Sequence, residues 1–330
     1  MDQRNKKHIM IEKNITKIND QLIELELFAY KLAKDAGNKI SSELKKPGKI
    51  SYKNDSENNT NLSNPVSETD KNIEISIRKK ISEKYPSHKI IGEESTVKDT
   101  FSNNFVWVID PIDGTTNFIN GLPIFGCSVG LLYNNSPIVG AIWLSSSHEL
   151  LPGTYHGSIN SKLKFNGKVF NYDKESKNIK RRLHSMPYAI PSNNTNTDIR
   201  VTGCAVFEIA MLATGILDGG YLNNMRLWDV VAGVALLKLT KKEIWIKNKN
   251  KWEKIEKNIN GKLILSNDIK DIQKWHGTLI VGNSKDIDIL KNRFKTKQIL
   301  KGLMQRFFNI LKYNFYAKLK AMANISKDKY

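Results

Sequence analysis

Two cysteines, Cys127 and Cys204, are all that the 330 residues contain. They stand far apart without metal-ligand spacing, which excludes a disulfide framework, and each reads as a small buried apolar residue rather than a redox or zinc group. A reducing compartment suits such a chain, and a cytoplasmic location is the expectation. No uninterrupted apolar run approaches the length that crosses a bilayer. Met1–Asp20 is largely polar and lacks the apolar stretch of a secretory signal. There is no internal repeat. The six histidines are scattered and read as structural or solvated, and no serine, cysteine or histidine stands in a nucleophile motif. Acids are scarcest at the end of the chain: Ile289–Tyr330 holds eleven Lys or Arg against Asp328 alone, giving +10 of the total net charge of +19. The charge therefore describes an appendage, and with no recognised nucleic-acid motif beside it, nucleic acid is not an expected partner.

What is present is an ordinary supply of core-forming residues, 40% hydrophobic, enough for one large domain or two that share an interface. Ile15–Leu44 has the periodicity of an amphipathic helix, with Ile18, Leu22, Leu25, Tyr30 and Leu32 on one side. Lys45–Asn64, rich in Lys, Asn, Ser and Gly, reads as a loop. In the next helix Asp70, Ile73, Ile77 and Ile81 share a stripe, which sets a carboxylate at the first turn of a buried face, and Pro86 marks the stop. Lys89–Ile91 and Phe105–Ile109 read as buried strands that run directly into Glu93–Glu94 and Asp110. Phe125–Tyr133 and Pro137–Leu144 form a hairpin around Asn134–Asn135. Further on, Lys174–Asp198 is polar and uncommitted. Phe207–Gly215 and Asp229–Leu239 read as helices, and Asp218–Leu222 and Gly277–Gly282 as strands.

One acid at the end of a strand is usually a cap or a solvated loop residue. Five such acids (Asp70, Glu93, Asp110, Asp113 and Asp229), each beside a buried segment, make another pattern. Converging carboxylates repel one another unless a hard cation sits among them, and Mg2+ takes oxygen ligands. After Asp110, Pro111 stiffens the turn and Gly114–Thr115–Thr116 can open a helix whose free N–H groups attract phosphate. A metal site beside an anion site is what metal-assisted phosphoester hydrolysis requires.

These residues carry a family resemblance. Trp107-Val-Ile-Asp-Pro-Ile-Asp-Gly-Thr-Thr-Asn-Phe118 resembles the signature of the inositol monophosphatase family. Asn64-Pro-Val-Ser-Glu-Thr-Asp70, Ile91-Gly-Glu-Glu-Ser95, Gly203-Cys-Ala205 and Leu227-Trp-Asp-Val-Val-Ala-Gly233 resemble its other motifs in order. The resemblance covers about Ile18 to Leu290. It implies an α+β or α/β layered fold, an α-β-α-β-α sandwich, with up to three Mg2+ ions. By that resemblance Glu93, Asp110, Asp113, Asp229 and the Ile112 carbonyl are metal ligands. Asp70 supports a metal-bound water, and Glu93 with Thr115 positions and deprotonates the attacking water. Asp113, Gly114, Thr115, Ala205 and Asp229 contact substrate. The implied activity is hydrolysis of a small inositol-phosphate-like or sugar-phosphate-like monoester.

Three departures concern substrate. Leu222 stands where inositol-handling members carry a glutamate that accepts hydrogen bonds from substrate hydroxyls, which a leucine cannot do. The stretch from Gly167 to Gly203 is short enough to lack a helix that walls the site. Leu239-Thr-Lys-Lys242 replaces a glycine pair. Histidinol-phosphate and bisphosphate-nucleotide phosphatases share the family, and a non-catalytic phosphate-binding or scaffold role is the alternative of another class. The expected organisation is 1–150 with most metal ligands, 151–288 with Asp229 and the substrate loop, and a basic amphipathic extension, 289–330. For that extension, in which Leu300, Leu303, Met304, Phe307, Leu311, Phe315 and Met322 share a face, a packed helix, a homodimer contact, a floppy basic extension and an anionic membrane surface are the readings to weigh.

Overall fold

The computed structural model describes residues 3–44, 50–52, 65–95, 104–171, 179–188, 196–264, 269–293, 304 and 307–312. The chain enters as α1 (Gln3–Glu43), which begins well before the apolar periodicity at Ile15. No proline precedes Pro47, and residues such as Glu, Lys, Gln and Leu sustain a helix through the polar stretch. Leu22, Leu25, Ala29, Leu32, Ala33, Ala36 and Ile40 form its buried face, packed with Ile73, Ile77 and Ile81 of α2 (Glu68–Lys84). Each large side chain so buried contributes about 1.5–3 kcal/mol. Tyr30 is only half-buried and stacks on His156. Within the region expected to be a loop, Ile50–Tyr52 forms β1, which pairs with β2 (Pro65–Ser67) just beyond that region, and residues 45–49 and 53–64 lie outside the described ones.

The α1/α2 layer covers one face of a seven-stranded sheet. Its spatial order follows the chain: β3 (Lys89–Gly92), β4 (Phe105–Asp113), β5 (Gly126–Tyr133), β6 (Ser136–Leu144), β7 (Gly153–Ser158), β8 (Lys164–Phe165) and β9 (Lys168–Val169). Only β3 and β4 run parallel; the other neighbours are antiparallel. A short helix, α3 (Thr115–Ile119), interrupts the path from β4 to β5. Asn134 and Asn135 turn the β5–β6 hairpin at φ 49° and 66°, the left-handed pair that asparagine tolerates in a type I′ turn.

The six-stranded sheet comes from the second half: β10 (Arg182–Ser185), β11 (Thr197–Arg200), β12 (Gly219–Arg226), β13 (Glu243–Asn248), β14 (Lys251–Lys254) and β15 (His276–Gly282), ordered β11-β10-β12-β15-β13-β14. Between the sheets lie α4 (Ala205–Thr214) and α5 (Leu227–Lys238), whose apolar residues share one core with Val108, Ile142 and Leu144 of one sheet and Leu222 and Leu279 of the other. Beyond the second sheet, Ile287 and Leu290 of α7 (Ser284–Arg293) pack on Tyr221 and Ile280. A short α6 (Ile269–Gln273) precedes β15. The layers are thus α-β-α-β-α, as the resemblance implied.

Sheet membership changes between Val169 and Arg182, and residue 150 lies in the turn that feeds β7. The polar stretch from 174 to 198 proves to hold β10 and the start of β11, a parallel pair that long-range pairing with β12 draws into the sheet. At the end of α5 the buried Lys238 ammonium donates to Ser136 Oγ (2.8 Å), Pro137 O (3.1 Å), Asn258 O (3.2 Å) and Gly261 O (2.8 Å). It thereby ties helix, hairpin and the 255–264 loop together. Among the described residues no helix is long and apolar enough to cross a membrane.

Candidate active site

The parallel β3–β4 pair points two strand ends the same way, so Glu93, just past β3, and Asp110, late in β4, emerge at one edge of the sheet. Strand geometry alone would put Asp110 and Asp113 on opposite faces, three residues apart. A register shift between them, where β4 pairs with β5, removes that alternation. Asp229 arrives in the first turn of α5, where its Oδ2 accepts from the Arg226 backbone N–H at 2.7 Å and the helix N-terminus favours its charge. One carboxylate oxygen from each of Asp110, Asp113 and Asp229 lies within 4.8 Å of the others.

This arrangement carries a large electrostatic cost. Burial raises the Asp110 pKa well above the carboxylate range, and the charges of Glu93, Asp113, Asp229 and Asp70 raise it further. Asp229 is pushed up by burial and by Asp113, against the opposing pull of its hydrogen bond from Arg226. Burial also raises Asp113, but the backbone N–H of Val206, the Cys204 thiol and the N–H groups of Gly114 and Ala205 draw it back. Asp110 Oδ1 is buried with no hydrogen-bond partner. An orphaned carboxylate oxygen among like charges fits a hard divalent cation, and the all-oxygen donor set is one that Mg2+ accepts.

Supporting residues hold these acids in place. Asp70 is buried at the start of α2, and the Thr115 hydroxyl donates to the Ile112 carbonyl (2.8 Å), with Asp70 Oδ1 at 3.4 Å. Gly114 takes φ 78°, and a Cβ there would stand 3.0 Å from Ile124 O and 3.1 Å from Cys204 Cβ, so glycine is required on both counts. Ala205 opens α4, and its neighbour Val206 donates to Asp113 Oδ2 at 2.6 Å. The structure thus gathers Asp110, Asp113 and Asp229 tightly. It also sets Glu93 and Asp70 close enough to repel Asp110, and brings Thr115, Gly114 and the Ala205 segment alongside.

Sequence reading missed several participants. Cys204 is buried as expected, but its Sγ lies 3.2 Å from Asp113 Oδ2, a polar contact rather than apolar filling. Glu74, fully buried on α2, pairs with Arg78 at 2.7 Å and accepts from the Glu94 backbone N–H at 2.8 Å, fixing the segment that bears Glu93. Its position one helical turn after Asp70 was the available signal. Asn117 donates to Ile124 O (2.8 Å) and Thr202 O (2.9 Å), joining α3 to the loop before α4. Burial pushes Glu208 up to about 7, while Thr202 donates to it from both its backbone N–H and its hydroxyl.

Leu222 lies in the shared core at 1% exposure, followed by a register shift before Met225. The polar Asn223 comes next, its Oδ1 accepting from Thr278 Oγ1 at 3.1 Å.

A five-layered fold with acids gathered where its parallel strands end defines a phosphoric monoester hydrolase of the metal-dependent type. A sequence model of the inositol monophosphatase family matches residues 21–238. The chain belongs to the inositol monophosphatase family. It is 34% identical over 189 residues to the fructose-1,6-bisphosphatase/inositol-1-monophosphatase of Aquifex aeolicus (strain VF5), covering 52% of this chain and 69% of that one. It is 32% identical over 187 residues to the inositol monophosphatase of Dictyostelium discoideum, covering 52% and 68%. In fold it is similar to the Thermotoga maritima IMPase, with a TM-score of 0.61 at 20% identity over 84% of this chain and 97% of that one. The suhB protein of Bartonella henselae gives a TM-score of 0.60 at 20% identity over 83% and 99%.

Proposed function

We propose that the protein hydrolyses a small inositol-phosphate-like or sugar-phosphate-like monoester with Mg2+ held by Asp110, Asp113, Asp229, Glu93 and the Ile112 carbonyl. The observation that carries this reading is the Asp110 carboxylate, buried with one oxygen unpartnered inside a trio of acids. Bound there, divalent cations supply Lewis acidity to the phosphoryl oxygens and lower the pKa of water toward roughly 7.

The chain's own residues do the rest. Thr115 keeps its hydroxyl fixed through the Ile112 carbonyl and close to Asp70, so a water beside it has an oriented partner and a carboxylate within reach for its proton. Glu93 supplies a further acceptor on the same edge. Gly114 takes the left-handed turn into α3 that a residue with a side chain would resist, and so presents the Thr115 backbone N–H to a phosphoryl group. Ala205, small and at the head of α4, leaves space for the organic portion of the substrate.

Leu222 is buried and cannot accept a hydroxyl, so substrate selectivity is expected to rest on other groups at the mouth. Phosphate release from a panel of inositol, sugar, histidinol and nucleotide monophosphates, with and without Mg2+, tests the proposal. Turnover of at least one ester that stops with EDTA is expected. Failure on every ester with Mg2+ present would overturn the reading.

A further inference from the structure

The segment after α7 has no part in the family match, which ends at residue 238, yet its described residues carry a run of exposed apolar side chains. Residues 304 and 307–312 are helical, and there Met304, Phe307, Phe308, Ile310 and Leu311 are 49–63% exposed. Isolated exposed apolar residues are normal on any protein; this many within two helical turns form a patch. On a helix, where successive residues turn by about 100°, Met304, Phe307, Phe308, Ile310 and Leu311 fall within an arc of about 160°. Asn309 and Lys312 lie on the remaining face. In sequence, the segment 289–330 that contains this patch carries +10.

We propose that this segment docks on an anionic lipid surface, with Phe307 and Leu311 at the centre of the inserted face and the surrounding lysines and arginines against the headgroups. Charge complementarity selects that occupant. A nucleic-acid backbone would attract the cations but leave the aromatic and aliphatic side chains in water. A second copy of the chain would cover the apolar face but bring two +10 segments together in a like-charge contact. A bilayer surface with acidic lipid takes both features at once, because apolar insertion and headgroup attraction add. Lys318 interrupts the apolar spacing of the sequence, and the inserted face is assigned to the described residues around 304–311.

The test is co-sedimentation of the full chain with vesicles of phosphatidylcholine alone and of phosphatidylcholine with phosphatidylglycerol, at low and high salt. Binding is expected only to the phosphatidylglycerol vesicles, weakening as salt rises. A Phe307→Glu/Leu311→Glu double variant is expected to bind them at least about tenfold more weakly. Its phosphate release from a soluble ester should match the unaltered protein, since neither residue touches the site. No binding of the unaltered protein to phosphatidylglycerol vesicles would overturn the proposal, as would a double variant that binds as well. A dimer that the double variant converts to monomer on size exclusion would assign the patch to self-association instead. Binding of duplex DNA that the double variant loses in parallel with lipid would assign it to nucleic acid.

Discussion

Asp113 Oδ2 accepts the backbone N–H of Val206 at 2.6 Å, so a carboxylate of the large sheet is locked to the first turn of a helix 93 residues later. The contact makes the position of α4, and with it the Ala205 segment, depend on the same side chain that faces Asp110 and Asp229. Any change at Asp113 therefore moves two parts of the site together.

The thiol beside that bond gives the first prediction. Cys204→Ser keeps a donor toward Asp113 and is expected to leave kcat/KM within about threefold, whereas Cys204→Val, similar in volume, removes the donor and lowers it about tenfold. Steady-state kinetics on the best ester of the panel, with circular dichroism to confirm the fold, checks both variants.

Asp110→Asn should separate charge from structure. Burial beside Glu93, Asp113 and Asp229 makes the ionised Asp110 costly, and an amide avoids that cost, so the metal-free variant should melt no lower than the metal-free parent. Its activity should fall more than about 100-fold, beyond the 10–100-fold typical of outer-shell partners of a metal. Mg2+ at about a hundred times its Kd should stabilise the parent by about 2.7 kcal/mol, and that gain should shrink in the variant. Calorimetry with and without EDTA reads both quantities.

Arg78→Met leaves Glu74 buried without its cation. Because Arg78 itself is 22% exposed, the expected loss of stability is about 2–4 kcal/mol, toward the lower part of the range for breaking a buried pair. Activity should drop with it, since Glu74 also holds the Glu94 backbone beside Glu93. Urea denaturation gives the first number; kcat at saturating Mg2+ gives the second.

Acid stability should depend on Glu26, which sits on α1 against β7 and β8. Burial pushes its pKa up, but hydrogen bonds from His156, Lys164 and Ser158 outweigh that and hold it at about 2. A carboxylate depressed on folding stabilises the protein above its unfolded pKa, and that contribution drains away as pH falls through the folded value. The window is therefore about pH 4.5 down to about 2, and the contribution is on the order of 3 kcal/mol at neutrality. Glu26→Gln should flatten the dependence of urea midpoints on pH across that window. An unchanged slope would show that other carboxylates set it.

The acids of the site were legible because each lies at the junction of an apolar segment and a turn, and the Asp110–Thr115 segment is specific in sequence. The hairpin at Asn134–Asn135 and the stop of α4 at Gly215, which takes φ 83°, were legible for local reasons too. What escaped is what long-range partners create. Thr154, His156 and Ser158 make β7 look too polar to be buried, yet all three lie inside, two of them hydrogen-bonded to Glu26, a residue of α1 distant in sequence. The segments of β10 and β11 stay uncommitted in sequence because their apolar content is thin, and pairing with each other and with β12 makes them strands. Glu74 and Glu26 interrupt helical stripes that otherwise read as apolar; the cation of Glu74 is Arg78, one turn on in the same helix, whereas nothing local reveals that Lys164 of β8 reaches Glu26 across the packing interface.

The acidic trio draws Asp110 and Asp113 from the large sheet and Asp229 from a helix wedged between the sheets. An ion seated among them would close a chain loop of roughly a hundred residues, acting as a cross-link whose entropic effect grows with the segment it spans. Loss of the ion would then remove that cross-link and leave the core that α4 and α5 share with both sheets to hold the two halves together.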